Sequence, residues 1–328
     1  MRLQVRLILS FWLVLTAALC CAQETSDSAR KRPHSERVFQ FADPDLLPED
    51  VVYDEQANRF YVSSVRRRTV LSCDTKGKCE PLLKAKGHAL YSMMSMSLSD
   101  GLNRRLWVLT ASTNAEENHR ADDKGKSALL SIEIYNGMIF ERLEPPDGAH
   151  SLGDMTSAKD GTLYISDGQS GDLFFLRPGS DQLERLLPHG TFRSPQTPAL
   201  NSDESILFVP DYSKGIAIVR LKDRSVEWIS SADDLRGIDG LYFYKNSLIA
   251  IQNGTNPKQI LRLQLNKQFN ISKREILDAG SSRLGEPTHG LIRHDSFYFL
   301  AHTGWDRVTD NGTMTPGQPA EIRRLPLR

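Results

Sequence analysis

The sequence has no excess of charge of either sign, because 41 lysines and arginines face 41 aspartates and glutamates in 328 residues. Proteins that hold nucleic acid through its phosphates need a basic surplus, so no nucleic-acid partner is predicted. The sequence also lacks GxSxG, HExxH and P-loop motifs, which argues against a serine hydrolase, a zincin and a nucleotide hydrolase. Its average composition, 39% hydrophobic and 25% charged, excludes disorder, collagen and coiled coil as the dominant state.

Long apolar runs are scarce, and the one that occurs lies at the N-terminus. Arg2 and Arg6 precede an uncharged stretch from Leu7 to Cys21, and the small residue Ala22 follows this stretch. This pattern predicts a signal peptide over residues 1–22, and the run is too short to favour a stable membrane span. Residues 23–36 are predicted to form a flexible leader. We therefore expect a mature chain that is secreted or periplasmic.

Cysteine is also scarce, and two of the four cysteines lie in the predicted signal peptide. The other two, Cys73 and Cys79, enclose a polar turn between two strand-like runs. In an oxidising compartment this arrangement predicts a disulfide that clamps a hairpin. A redox or metal role is the weaker alternative, since CxxC spacing is absent and two thiols alone do not complete a zinc site.

Helical periodicity is nearly absent from the rest of the chain, which instead repeats one unit six times: a half-apolar run, a polar turn and an aromatic-aliphatic run. The second run of each unit has an apolar anchor residue at or next to its start: Phe60, Leu106, Leu163, Leu207, Leu248 and Phe297. They are about 40 to 57 positions apart, and such a period with four short strands per unit is typical of a β-propeller. We predict an all-β, six-bladed β-propeller of four-stranded blades around a central tunnel over residues 37–328. One or two large β-sandwiches are the alternative.

Two further segments have a predicted place in this ring. The run Arg37–Phe41 precedes the first unit, and we expect it to pair with Glu321–Leu325 of the last blade, because this closes the ring and leaves only short sheet edges. The longest spacing between units contains the polar insertion Asn114–Ser127, which we expect to be an exposed loop.

The starts of the innermost strands of a propeller meet at one mouth of the tunnel, and five of the six blades place a polar or charged side chain there. These side chains are Glu49, Asp50, Asp154, Gln196, Asp239 and His289. Clustered carboxylates repel one another unless a cation neutralises them or some stay protonated. Oxygen donors suit a hard ion, Ca²⁺ first. Alternatively, these residues cap the inner strands and bind waters in the tunnel.

The chain resembles the gluconolactonase / senescence-marker-protein superfamily of six-bladed propellers, which has paraoxonase and strictosidine-synthase-like relatives. The resemblance lies in the segments LPEDVVYDEQANRFYVSS, HSLGDMTSAKDGTLYISDG, SPQTPALNSDESILFVPDYSKG and GIDGLYFYKNSLIAIQNG. It implies a Ca²⁺-dependent lactone or ester hydrolase, or a relative that has lost catalysis. It also implies that Glu49 and Asp239 are metal ligands, whereas Asp154 and Gln196 stand where the family usually has Asn.

If the chain is such a hydrolase, the ion would polarise the carbonyl of the substrate and stabilise the developing oxyanion. Asp50, His289 or His302 would then serve as the base for an attacking water. An ordinary hydrogen-bonded loop histidine is the alternative for both histidines. The loops after the second strands would form the pocket wall and offer three side chains to a substrate: Arg66, Tyr212 and Trp305.

Three functions therefore remain open for the sequence. The first is an exported, Ca²⁺-dependent hydrolase of a small-molecule lactone or ester. The second is a non-catalytic propeller that binds a small ligand or a protein, with any metal serving stability. The third is an interaction module without a metal. The first two predict metal-dependent melting, because an ion that binds only the folded chain stabilises it.

Overall fold

The structure, a computed structural model, describes residues 34–83, 90–99, 104–231 and 234–328. The predicted signal peptide and the leader up to residue 33 lie outside the described residues. Within the described ranges, no helix is long and apolar enough to cross a membrane.

The described residues form six four-stranded antiparallel sheets. The first strand is β1 (Glu36–Gln40). Blade 1 comprises β2 (Pro48–Asp54), β3 (Arg59–Ser64), β4 (Thr69–Cys73) and β5 (Cys79–Pro81). Blade 2 comprises β6 (Ser92–Leu98), β7 (Arg105–Ala111), β8 (Ser127–Glu133) and β9 (Ile139–Leu143). Blade 3 comprises β10 (Leu152–Ser157), β11 (Leu163–Asp167), β12 (Leu173–Leu176) and β13 (Glu184–Arg185).

The second half of the chain repeats the pattern. Blade 4 comprises β14 (Ala199–Leu200), β15 (Ile206–Asp211), β16 (Gly215–Arg220) and β17 (Val226–Trp228). Blade 5 comprises β18 (Ile238–Tyr244), β19 (Ser247–Gln252), β20 (Gln259–Leu265) and β21 (Ile271–Ala279). Blade 6 comprises β22 (Gly290–Arg293), β23 (Ser296–Ala301) and β24 (Glu321–Pro326), with β1 as its fourth strand. A four-residue helix α1 (Ser281–Leu284) precedes blade 6. The six-bladed β-propeller predicted from the repeat is confirmed.

The predicted closure of the ring is confirmed as well. β1 pairs antiparallel with β24, so that the first strand completes the last blade. Phe39 of β1 is buried and makes edge-to-face contacts with Phe41 and with Phe60 of blade 1. Ser35, just before β1, donates its backbone N–H to Asp278 of blade 5. The N-terminal strand therefore joins blades 5, 6 and 1.

The turn of blade 1 contains the predicted disulfide, which joins Cys73 to Cys79 at the β4–β5 hairpin. Most of the insertion Asn114–Ser127 is exposed, as predicted, but Ala115 and Glu116 are buried within it. Glu116 accepts hydrogen bonds from the backbone N–H and the hydroxyl of Ser92, and Arg66 donates to the carbonyl of Ala115. The insertion is thus fixed to its own blade through Glu116 and to blade 1 through Arg66.

Phe39→Ala tests whether the β1 contacts hold the ring closed. Removal of a buried Phe side chain leaves a cavity and typically lowers the free energy of unfolding by about 3–5 kcal/mol. Denaturant unfolding should show a loss of this size. The control is Gln40→Ala at the exposed neighbouring position, which should change stability by less than about 0.5 kcal/mol. Equal, small effects of both substitutions would contradict the closure argument.

Candidate metal centre at the tunnel mouth

Irregular pairing of the innermost strands sets the geometry of the tunnel mouth. The register shifts within β2 between Pro48 and Val51, within β10 between Leu152 and Asp154, and within β18 between Ile238 and Leu241. Such bulges redirect side chains and free backbone groups from the ladder. The shifted segments contain or adjoin the predicted site residues Glu49, Asp50, Asp154 and Asp239.

His289 lies at the centre of the cluster and is 1% exposed. Its Nε2 is 2.8 Å from Asp154 Oδ1 and 3.9 Å from Asp239 Oδ1, and its Nδ1 is 3.8 Å from Asp50 Oδ1. Nδ1 is buried and has no hydrogen-bond partner among the described residues. The ring therefore brings three acidic groups from blades 1, 3 and 5 around one imidazole, as its repeat predicts.

Asp50 is held on all sides by donors. Its Oδ2 accepts hydrogen bonds from Ser95 Oγ (2.8 Å) and from the backbone N–H of Met96 (2.6 Å), and its Oδ1 accepts from the N–H of Val51 (2.7 Å). Its own backbone N–H donates to Ser63 Oγ. Asp50 thereby joins the inner strands of blades 1 and 2, and its carboxylate is less free than that of a solvent-facing base.

Glu49, next to Asp50 in β2, turns toward a loop of blade 6. Its Oε2 accepts a hydrogen bond from Trp305 Nε1 at 2.5 Å, and its backbone carbonyl accepts one from the hydroxyl of Thr288. Trp305 packs against the apolar cluster that contains Leu47 and Met94. This bond was not predicted, because a tryptophan in a long loop carries no periodic signal.

Asp239 is held from the blade 5 side. Its Oδ2 accepts a hydrogen bond from Asn253 Nδ2 at 2.7 Å, and Asn253 in turn accepts one from the Tyr212 hydroxyl at 3.0 Å. Asp239 and Asn253 are each 9% exposed. Asn253 is a second site residue that the sequence did not single out for this role.

Burial and crowding shift the pKa values of the cluster. Burial raises the pKa of Glu49 to about 8, against the charge of His289 and with Asp239 and Asp154 adding to the rise. Burial likewise raises the pKa of Asp239 to about 6. Burial alone would lower the pKa of His289, but the carboxylates of Asp154, Asp50 and Glu49 outweigh it and raise that pKa well above its ordinary value. The cluster therefore holds protons that isolated side chains would release.

Gln196 does not join the cluster, and the neighbouring Thr197 does. Thr197 Oγ1 lies 2.6 Å from Asp154 Oδ1 and 3.1 Å from His289 Nε2, whereas the amide nitrogen of Gln196 bonds to Ser194. The backbone N–H of Gln196 binds the carbonyl of Pro210, and that of Thr197 binds the carbonyl of Asp239. The position of blade 4 that faces the cluster is therefore one residue later than the predicted alignment placed it. Thr197 occupies this position instead of Gln196.

His302 and Arg66 also lie differently from their predicted roles. The backbone N–H of His302 binds the carbonyl of Leu284, and its ring lies against Gly285 beside helix α1. Burial lowers the pKa of His302. Arg66 donates to the carbonyls of Ala115 and Gly312, so it connects two loops.

The donor set fits a divalent cation by its chemistry. Asp154, Asp239 and His289 each offer a ligand atom, and these atoms lie within 4.8 Å of one another. All three residues are buried. Two carboxylates and one imidazole suit several divalent ions.

Solved structures with this fold include several enzymes. The chain aligns with a gluconolactonase from Xanthomonas campestris with a TM-score of 0.56 and 15% identity, covering 85% of this chain and 86% of that one. It aligns with virginiamycin B lyase from Staphylococcus aureus, in a catalytically inactive form with quinupristin, with a TM-score of 0.58 and 13% identity, covering 90% and 88%. A luciferin-regenerating enzyme gives a TM-score of 0.60 and 13% identity, covering 90% and 95%.

At this level of identity, the likeness shows the fold. The chain is a six-bladed propeller of the kind found in gluconolactonase-like enzymes, so the resemblance seen in the sequence is confirmed at the level of architecture. No family model matches the chain, and no curated protein matches it in sequence.

The pKa shifts predict an unusual pH dependence of stability in the absence of divalent ions. Between its ordinary value of 4.5 and about 8, Glu49 keeps a proton in the folded chain that the unfolded chain has lost. Stability therefore falls as pH rises through this window. The raised pKa of His289 acts in the same direction. Its contribution to the stability of the fold is complete below its ordinary pKa and is lost as the pH rises through its pKa in the folded chain.

Thermal melts in EDTA from pH 5 to pH 8 should therefore show a falling melting temperature. Glu49→Gln, which stays neutral at every pH, should make the fall shallower. A melting temperature that rises across this window in both proteins would show that the cluster is not charged as described.

Proposed function

We propose that the chain is a hydrolase of lactones or carboxylic esters that uses a divalent cation, Ca²⁺ first, at the cluster around His289. The observation that carries the proposal is the buried surplus of carboxylates at the tunnel mouth. Glu49, Asp50, Asp154 and Asp239 all lie at or below 9% exposure. An enclosed site with convergent polar groups and shifted pKa values is the usual setting of a functional centre.

Charge balance supports a cation in this place. Four ionised carboxylates would carry four negative charges, and one imidazolium offsets one of them. The raised pKa values of Glu49 and Asp239 reduce this surplus only by retaining protons. A divalent ion would supply two positive charges and allow both side chains to ionise. The residues that would hold it are Asp154 and Asp239, with Glu49 beside them.

A cation at these residues would supply Lewis-acid activation of an ester or lactone carbonyl. The chain's own residues supply the remaining requirements. Thr197 and His289 orient the carboxylate of Asp154, and Asn253 orients that of Asp239. Burial of these groups limits the access of bulk water and strengthens electrostatic interactions within the site.

His289 is the favoured base among the three predicted candidates. Asp50 is occupied by three donors, and His302 lies beside Gly285. His289 is protonated in the cluster because the surrounding carboxylates raise its pKa. Neutralisation of Asp154 and Asp239 would weaken that effect and release the proton, leaving Nε2 able to accept one from an attacking water.

A non-catalytic propeller is the second candidate, and the position of His289 favours it. The imidazolium already bonds to Asp154 and faces Asp239 and Asp50, so it serves as a built-in counter-ion. In that case the cluster would stabilise the ring and bind a ligand without turning it over.

Melting with and without Ca²⁺, followed by a panel of lactones and aryl esters, tests the proposal. Free Ca²⁺ at 100 times its Kd should stabilise the fold by about 2.7 kcal/mol. Asp239→Ala should abolish this shift. Because loss of an outer-shell partner costs about 10–100-fold in activity, loss of Asp239 itself should lower kcat/KM by more than about 100-fold.

Asp181→Ala, which removes an exposed aspartate from blade 3, is the matched control and should leave the melt and the turnover unchanged. A Ca²⁺-dependent melt without turnover would support the non-catalytic alternative. If EDTA and Ca²⁺ give the same melt, the metal proposal fails.

Binding of the ion should release protons. Glu49, with a pKa of about 8, holds its proton at pH 7, and a ligand must lose its proton to bind a cation. Calorimetric titration with Ca²⁺ at pH 7 in two buffers of different ionisation enthalpy should therefore report about two protons released per ion, one from Glu49 and one from His289. Glu49→Gln should reduce this number. Identical binding enthalpies in the two buffers would contradict the role of Glu49.

A further inference from the structure

Tyr212 is exposed at the mouth and is also bonded toward the cluster. It follows β15, and it is 36% exposed. Its hydroxyl donates to Asn253 Oδ1 at 3.0 Å. Its loop is fixed by Asp211, whose side chain accepts hydrogen bonds from the backbone N–H groups of Arg193 and Ser194. The ring is therefore presented to solvent from a well-anchored turn.

The side-chain amide of Asn253 connects Tyr212 to Asp239 in only one of its two flipped orientations. Its Nδ2 donates to Asp239 Oδ2 at 2.7 Å and to the carbonyl of Pro287 at 3.0 Å. A carbonyl and a carboxylate can only accept, so the amide nitrogen must face them and the amide oxygen must face Tyr212. All three hydrogen-bonding groups of the buried amide are then used. Loss of the Tyr212 hydroxyl would leave Oδ1 without that donor.

The backbone beside this contact leaves no space for larger residues. A Cβ on Gly254 would lie 2.7 Å from the Tyr212 hydroxyl and 2.5 Å from the Cα of Gly237. Gly237 itself has a φ of 71°, and its N–H binds the carbonyl of Tyr212. Two glycines thus allow the loops of blades 4 and 5 to approach closely enough for the hydrogen bonds to form.

We propose that Tyr212 is a positioning residue that holds the carboxylate of Asp239 through Asn253, in the orientation required by the hydrolase proposed above. The inference rests on that function for its catalytic consequence. The hydrogen bond occupies Oδ2 of Asp239 and leaves Oδ1 directed toward His289. Since the ring is exposed, it would also be accessible to the non-reacting part of a bound substrate.

The two parts of the side chain are separable by substitution. Tyr212→Phe keeps the ring and removes the hydroxyl, so kcat and the affinity for Ca²⁺ should each fall by about tenfold, as for other outer-shell partners, while KM stays within twofold. Tyr212→Ala should in addition raise KM. Tyr135→Phe, at an exposed tyrosine of blade 2, is the control and should change neither quantity.

A double-mutant cycle and a metal-free measurement complete the test. If the two residues act in series, Tyr212→Phe combined with Asn253→Ala should weaken Ca²⁺ binding no more than Asn253→Ala alone. In EDTA, hydrogen exchange of the Asn253 side-chain amide, followed by NMR in ¹⁵N-labelled protein, should be faster in Tyr212→Phe than in the wild type.

The outcomes separate this inference from the proposed function. Weaker Ca²⁺ binding in Tyr212→Phe, with no turnover by the wild type, would support the positioning role and overturn the hydrolase. Turnover by the wild type with unchanged kcat, Ca²⁺ affinity and amide exchange in Tyr212→Phe would overturn the positioning role alone. If the wild type binds no Ca²⁺, the exchange rates decide: unchanged rates overturn the positioning role, and faster rates support it.

Discussion

The site depends on an electrostatic conflict, in which the ring buries four carboxylates around one imidazole. Ionised groups are costly to remove from water unless they are paired, and His289 can pair with only part of this set. The cluster responds by retaining protons, as the raised pKa values of Glu49 and Asp239 show. The chemistry proposed for the site follows from relief of this conflict by a cation.

Bulges in the inner strands make this cluster possible. A regular ladder would use the backbone N–H groups near the mouth for pairing between strands, and an unpaired buried group carries a cost. Register shifts in β2 and β6 instead allow the N–H groups of Val51 and Met96 to bind the carboxylate of Asp50. The irregularity that redirects the side chains therefore also supplies the donors that hold one of them.

The sequence predicted the parts of the molecule that repeat. Hairpin spacing was sufficient for the six blades, and the leftover strand Arg37–Phe41 was sufficient for the closure with β24. The acidic positions followed from the same alignment. A repeat predicts the blade to which a residue belongs more reliably than it predicts the direction of its side chain. Blade 4 shows the difference, because Thr197 takes the place expected for Gln196.

The hydrogen bonds from loop residues to the cluster were beyond such prediction for a physical reason. Trp305 and Asn253 reach Glu49 and Asp239 from segments whose path is set by packing between blades rather than by strand alternation. The insertion after Asn114 shows the same limit at one position, since the polar side chain of Glu116 is buried by its hydrogen bonds to Ser92. Polarity predicts exposure only where no distant partner is available, and a closed ring provides many distant partners.

Solved propellers with this architecture carry different activities, so the ring positions and not the fold must decide the chemistry. In this chain blade 4 contributes the hydroxyl of Thr197 and blade 6 the imidazole of His289. Both bond to the same oxygen of Asp154, so a cation that binds this oxygen competes with a proton on His289 for the same negative charge. In the proposed hydrolase, occupancy of the metal site and the protonation state of His289 would therefore be linked. A propeller whose ring held only oxygen donors would lack this proposed coupling between a metal and a base.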